Sequence, residues 1–207
     1  MTEKVKRGEN IIKVGKELGR GREKIVYADP DNKKLAKGIF HEYKTESIEK
    51  VKGRFYLTKI LHMLYPKNIP GIHLSASNPH MIIVDKVDDQ IANIKEQLGT
   101  HVMEKNIAKD LTEELGELID DISFNKRKII DGLDHLGVII DEFPPNFAID
   151  EKNNIKFVDS IDPWHVDANY SSNKLKKAIE NLEDAAQKKR ALIYLAQLDK
   201  LEKSRKI

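Results

Sequence analysis

The consecutive prolines Pro144-Pro145 constrain this chain most, because each fixes φ and offers no N–H, so no helix or central strand runs through them. Around them, Val138 to Asp159 reads as short strands and loops: Asp141 to Asn146 holds the prolines, Lys152-Asn153-Asn154 is a turn, and Ile155 to Val158 is a strand. The periodicity on either side is helical. Ile94 to Leu136 is charge-rich, with Leu111, Leu115, Leu118, Ile119 and Ile122 in one stretch and Ile129, Ile130 and Leu133 in the next. Ser171 to Ser204 reads as one long or two shorter amphipathic helices, with a serine or asparagine available as N-cap.

The first part of the chain has another texture. Met1 to Asn10 is polar and reads as mobile, Ile12 and Val14 open an alternating strand, and Gly19 and Gly21 interrupt it. Ile25 to Ala28 resumes strand character, Asp29-Pro30-Asp31-Asn32 is a turn, and Leu35 to Phe40 is a third strand, so a small antiparallel sheet is expected. From about Thr45 to Leu64, Ile48, Val51, Phe55, Leu61 and Leu64 recur at helical spacing until Pro66, and His80 to Val87 reads as a buried strand. The 207 residues fit a single α+β domain with a real core.

Composition removes several classes of function. Lys and Arg number 36 against 34 Asp and Glu, a net +2 with mixed signs, which leaves no electrostatic footprint for nucleic acid. The absence of cysteine excludes disulfides, thiol catalysis and thiolate metal sites. No apolar run approaches the roughly 20 residues that span a bilayer, and no cleavable signal opens the chain. A soluble monomer working through oxygen and nitrogen groups is expected.

Two constellations carry chemistry. Leu18-Gly19-Arg20-Gly21-Arg22-Glu23-Lys24-Ile25-Val26-Tyr27 places a Gly-x-Gly between two strands. Glycines there let backbone N–H groups approach phosphate oxygens, and Leu18 and Val26 are placed to roof an adenine ring; plain turn chemistry is the alternative. A strand follows, which disfavours a dinucleotide-binding loop. Lys37 shares a strand face with Leu35 and Ile39, so it must find an anion or snorkel, and nucleotide phosphates would serve; an edge lysine beside Lys33 and Lys34 is the alternative. The second constellation is Asp141, then Asn146 five residues on, then a hairpin ending in Asp159 behind an apolar strand. Phosphoryl transfer needs such a set: an Asp to orient or deprotonate the accepting hydroxyl, and two oxygen ligands for Mg²⁺. A proline-stiffened surface loop is the alternative.

In this order the parts resemble the protein kinase superfamily, over residues 12 to 162. The resemblance implies a bilobal kinase-like fold, with a small antiparallel N-lobe sheet plus helix at about 11–86, a hinge at about 85–89 and a reduced helical C-lobe at about 90–207. It implies ATP and Mg²⁺ as cofactors, with Asp141 and Lys37 catalytic. Leu18, Gly19, Arg20, Gly21, Val26, Leu35, Lys37, Asp85 and Val87 would bind nucleotide, and Asn146 and Asp159 would bind metal. There are departures. Ile139 and Ile140 replace the usual His-Arg before the catalytic Asp, Phe143 replaces a Lys, Asp159-Ser160-Ile161 stands for Asp-Phe-Gly, and Lys24 takes the place of the third loop glycine. Without an Arg at Ile140 no cation receives an activation-loop phosphate. Arg20 or Arg22 is a candidate substitute for the missing charge, and Glu46 and Glu49 are weak candidates to pair with Lys37.

Only 207 − 159 = 48 residues follow Asp159, too few for an ordinary activation segment and helical subdomain. The chain thus looks like the minimal kinases among bacterial type III effectors. That implies secretion into a host cytoplasm and a serine/threonine kinase acting on a host signalling, ubiquitin-system or heat-shock chaperone protein. A catalytically inactive binding module and a small-molecule kinase share the same motifs. Trp164 reads as a core anchor, Asp162 as a cap, and His135, His165 and Asp167 lack metal-ligand spacing.

Overall fold

The computed structural model describes residues 2–7, 9–41, 48–73, 81–100, 105–142, 146–159, 161–164 and 170–205. Tyr43, Thr45, Glu46, His80, Phe143, Pro144, Pro145, Ser160, His165 and Asp167 lie outside them. The architecture is α+β, with five helices and a small antiparallel sheet among the described residues.

Strand β1 (Glu3–Arg7) pairs antiparallel with β2 (Asn10–Val14). The polar opening is therefore a strand rather than a mobile tail. Val5 supplies an apolar partner opposite Ile12, and Arg7 Nε donates to the Phe40 carbonyl at 2.9 Å. Next come β3 (Glu17–Arg20), β4 (Lys24–Ala28), β5 (Leu35–Phe40), helix α1 (Ile48–Leu64), β6 (Ile72–His73) and β7 (Met81–Asp85). The five later strands form one sheet in the order β3-β4-β5-β7-β6, antiparallel throughout.

The two faces of this sheet have different owners. Ile25, Tyr27, Ile39 and Met81 pack under the β1–β2 hairpin with Ile12 and Val14. Phe40 and Ile82 on the other face pack with Ile72 and with Val51 of α1. Cross-strand register puts Lys24 opposite Phe40, Val26 opposite Gly38 and Ala28 opposite Ala36, so all six share the α1 side.

The chain continues through α2 (Gln90–Thr100) and the long α3 (Lys105–His135). Asp89 starts α2 by accepting from the Ile91 and Ala92 N–H groups. Helix α3 stops in a Schellman turn: Gly137 has φ 76°, its N–H reaches the Asp134 carbonyl at 2.8 Å, and Val138 N–H reaches Leu133 O at 2.9 Å. That turn buries Val138 and Ile140 and leaves Asp141 exposed.

A hairpin of β8 (Phe147–Ile149) and β9 (Ile155–Phe157) follows. Helices α4 (Ser172–Glu180) and α5 (Ala185–Arg205) come next, α4 capped by the Ser171 side chain accepting from Lys174 N–H. Helix α5 lies along α1, with Tyr194 stacked on Tyr56 and edge-on to Phe55. One apolar core joins Leu57, Ile60 and Leu61 of α1 to Phe147, Ile149 and Phe157 of the hairpin and to Leu175, Leu195 and Leu198. Among the described residues no helix is long and apolar enough to cross a membrane.

Candidate active site

The β8–β9 hairpin brings two of the expected residues together. Asn146 precedes β8 and Asp159 follows β9, and Val158 N–H donates to the Asn146 carbonyl at 2.8 Å, which closes the open end of the hairpin. Asn146 Nδ2 donates to the Asp141 carbonyl at 3.1 Å, so Asp141 is tied to the same end. One Asp carboxylate, one Asn amide and one exposed Asp thus sit in sequence along a single loop edge. Lys126 of α3 adds a cation there, donating to the Glu142 carbonyl at 3.2 Å while lying 5.9 Å from the Phe147 ring centre.

The lysine that meets Asp159 is Lys24, not Lys37. Lys24 Nζ forms an ion pair with Asp159 Oδ1 from a buried position on the α1 face of the sheet. Lys37 is turned to the opposite face, under the β1–β2 hairpin, where its Nζ is 3.1 Å from Asp29 Oδ1 and 3.1 Å from the Lys13 carbonyl. Leu35 shares the face of Lys37, so Ala36 rather than Leu35 stands on the same side as Val26. The difference is a phase shift of one residue along β5, and in a strand one residue reverses every side chain.

The alternation along β4 carries the signal for Lys24: residues i and i+2 of a strand share a face, so a nucleotide face that includes Val26 includes Lys24 as well. Gly38 makes the space: a Cβ there would lie 3.1 Å from Lys24 Cδ and 3.0 Å from Ile82 Cγ1.

The turn between β3 and β4 is tight, with Gly21 N–H bonded to the Lys24 carbonyl at 2.9 Å. A Cβ on Gly19 would meet nothing within 4 Å, so the backbone there is open to an approaching ligand. Leu18 is 41% exposed and Val26 half-buried. Arg20 is bound to Glu17 at 2.8 Å, and that hydrogen-bonded carboxylate raises its pKa.

Asp85 is occupied at its own edge of the sheet. Its carboxylate accepts from Gly71 N–H at 2.8 Å and lies 3.0 Å from His73 Nε2. Burial pushes this carboxyl up, but His73 and the Gly71 N–H outweigh it and hold it below the usual value. The Asp85 and Lys86 N–H groups bond the Gly71 and Lys34 carbonyls, and Val87 lies half-buried in the link from β7 to α2.

Of the candidate acids to pair with Lys37, Glu49 is exposed and Glu46 lies outside the described residues, while α1 buries Arg54, which is 1% exposed. Arg54 Nη2 donates to Glu23 at 3.0 Å and to Asp162 at 3.3 Å, and Lys50 approaches Asp162 at 2.9 Å. Asp162 also caps the next segment, accepting from Trp164 N–H at 2.9 Å. Burial pushes the Asp162 carboxyl up; Arg54, the Trp164 N–H and Lys50 together overturn that and hold it below its ordinary value.

Asn146 and Asp159 offer oxygen donors of the kind Mg²⁺ takes, and two protein oxygens suffice for an ion that keeps several waters. Among the described residues no group of three or more His, Asp or Glu side chains is arranged to hold a metal. No protein-family model matches the chain, and no curated protein matches it in sequence.

Proposed function

We propose that this chain is an ATP-dependent phosphotransferase of the protein kinase type, with Lys24 as its phosphate-binding lysine. The observation that carries the reading is the Lys24–Asp159 ion pair beside Asn146 and Asp141, since it joins a lysine of the glycine-turn strand to the acid behind the hairpin. Mg²⁺ held by Asn146 and Asp159 would neutralise phosphate charge. Lys24 would hold nucleotide phosphates below the Gly19–Gly21 turn, with Val26, Ala36 and Leu18 near the base. Asp141 would orient the acceptor hydroxyl and take its proton as the oxygen bonds the γ-phosphorus and ADP departs. Ser or Thr of a protein is the acceptor favoured by the family resemblance, and a host protein by the chain's likeness to minimal effector kinases.

A nucleotide-binding module without turnover is the second reading. Helix α1 favours it, because kinases pair their lysine with a glutamate on the corresponding helix, whereas the charged side chain that α1 buries is Arg54.

Incubation with Mg²⁺ and γ-labelled ATP, alone and with a eukaryotic lysate, separates the readings. Phosphotransferase activity requires label on a protein, lost in Asp159→Ala and Lys24→Met and retained in folded Lys37→Met. Stabilisation by Mg²⁺-ATP without label establishes the binding module, and label on small alcohols moves the acceptor class. Loss of label in Lys37→Met but not in Lys24→Met would overturn the assignment of the lysine.

A further inference from the structure

Lys24 and Asp159 are 135 residues apart in sequence, the lysine on β4 and the acid in the segment that follows β9. Something must hold the β3–β4 turn against the segment after β9. Arg54 touches both. Its guanidinium grips Glu23, the residue before Lys24, and Asp162, three residues after Asp159, and it lies 5.8 Å from the ring centre of Phe40, the cross-strand partner of Lys24. Backbone bonds stiffen the first anchor, since His41 N–H donates to the Glu23 carbonyl at 3.0 Å. Lys50 and the Trp164 N–H stiffen the second.

We propose that Arg54 is the positioning residue of the candidate site: from α1 it pulls the two carboxylates to one point and thereby sets the Lys24–Asp159 contact. An arginine suits this task better than an acid or a lysine. Nη2 alone reaches both carboxylates, and the rigid guanidinium plane fixes the direction of its N–H bonds, whereas an ammonium acts as a point charge. With the lysine already satisfied by Asp159, α1 has no need of a glutamate to orient it. The site is then coupled to α1 through a charge arrangement opposite in sign to a lysine–glutamate pair. Its catalytic consequence rests on the phosphotransferase reading; the positioning itself does not.

The test uses the full chain and a built-in control. Lys24 and Lys37 are buried to the same degree, at 7% and 8% exposure, on opposite faces of one sheet. Competitive acetic anhydride labelling at neutral pH, read by mass spectrometry, reports each lysine separately. Glu23→Gln cuts one link while leaving the buried charge on Asp162 compensated, and Arg54→Lys keeps the charge without the guanidinium plane. Both should raise labelling of Lys24 several-fold with Lys37 unchanged, the signature that Asp159→Asn should also give. In the phosphotransfer assay both should lower kcat about tenfold or more, as small misplacements of reacting groups do, with KM for ATP little changed. Equal rises at Lys24 and Lys37 would show that Arg54 merely holds the fold, and no rise at Lys24 would show that the contact forms without it; either overturns the proposal. Wild-type protein that transfers no phosphate overturns the phosphotransferase reading instead and leaves the labelling pattern to decide the role of Arg54.

Discussion

Two lysines on neighbouring strands show how local chemistry separates structure from function. Lys37 and Asp29 form a largely buried pair, with side chains 10% and 8% exposed, so Lys37→Met leaves the Asp29 carboxylate with the Asp31 N–H but without its cation. We expect a loss of about 3 kcal/mol or more in urea denaturation, the usual cost of removing one partner of a buried pair. Lys24 faces a partner whose side chain is 37% exposed, and Lys24→Met should cost only about 1 kcal/mol because Asp159 stays within reach of water. Of the two substitutions, stability should thus fall more in Lys37→Met, the one that the proposed function expects to spare phosphotransfer. Asp162 gives a pH dependence whose sign is fixed. Its folded-state pKa lies below the unfolded value of 3.8, so its contribution is full above that value and disappears as pH falls through the depressed folded value. Urea midpoints measured from pH 6 down to pH 3 should therefore drop below about pH 4. Asp162→Asn should be less stable at pH 6 and flatter across the same range.

At the scale of elements, what was legible depended on how many sides each segment buries. The β8–β9 hairpin, the turn at Lys152-Asn153-Asn154 and the stop of α3 near Leu136 were readable because turn residues and apolar alternation agree there. Asn153 indeed takes φ 58°. The phase of β5 was not readable: Leu35 to Phe40 is covered on both faces, so alternation could not say which face meets the site. The same ambiguity hid Arg54, whose partners come from distant segments with no local signature, and β6, a strand of two residues. Helix α1 lacks a single apolar stripe for a related reason, since the sheet lies on one side and α5 on another. Gly53 marks a further contact, with the segment after β9: a Cβ there would come within 2.6 Å of the Trp164 ring. Gly53→Ala should overpack the contact and lower stability by about 1–3 kcal/mol in a denaturation series. Trimming the ring with Trp164→Leu in the same chain should recover part of the loss, a non-additive pair.

For the whole molecule, the largest apolar core does not stop at a boundary between the sheet region and the helical region. Leu57, Ile60 and Leu61 of α1 belong to the same cluster as Leu133, Phe157, Leu175 and Leu198. We expect one cooperative unfolding transition, with Trp164 fluorescence and far-UV circular dichroism giving the same urea midpoint. A fluorescence change preceding the loss of helix would show that α5 and the Trp164 contact detach by themselves. The pairing of α1 with α5 also has a kinetic side. Tyr56 and Tyr194 stack although most of the chain's length lies between them. Contacts of such separation are closed late and slow folding. On a ribosome adding roughly 5–20 residues per second, α1 waits on the order of ten seconds for its partner helix. Throughout that interval Phe55 and Tyr56 lack their Tyr194 cover, and any chaperone or neighbouring nascent chain that takes up aromatic surface competes with α5 for the same helix face.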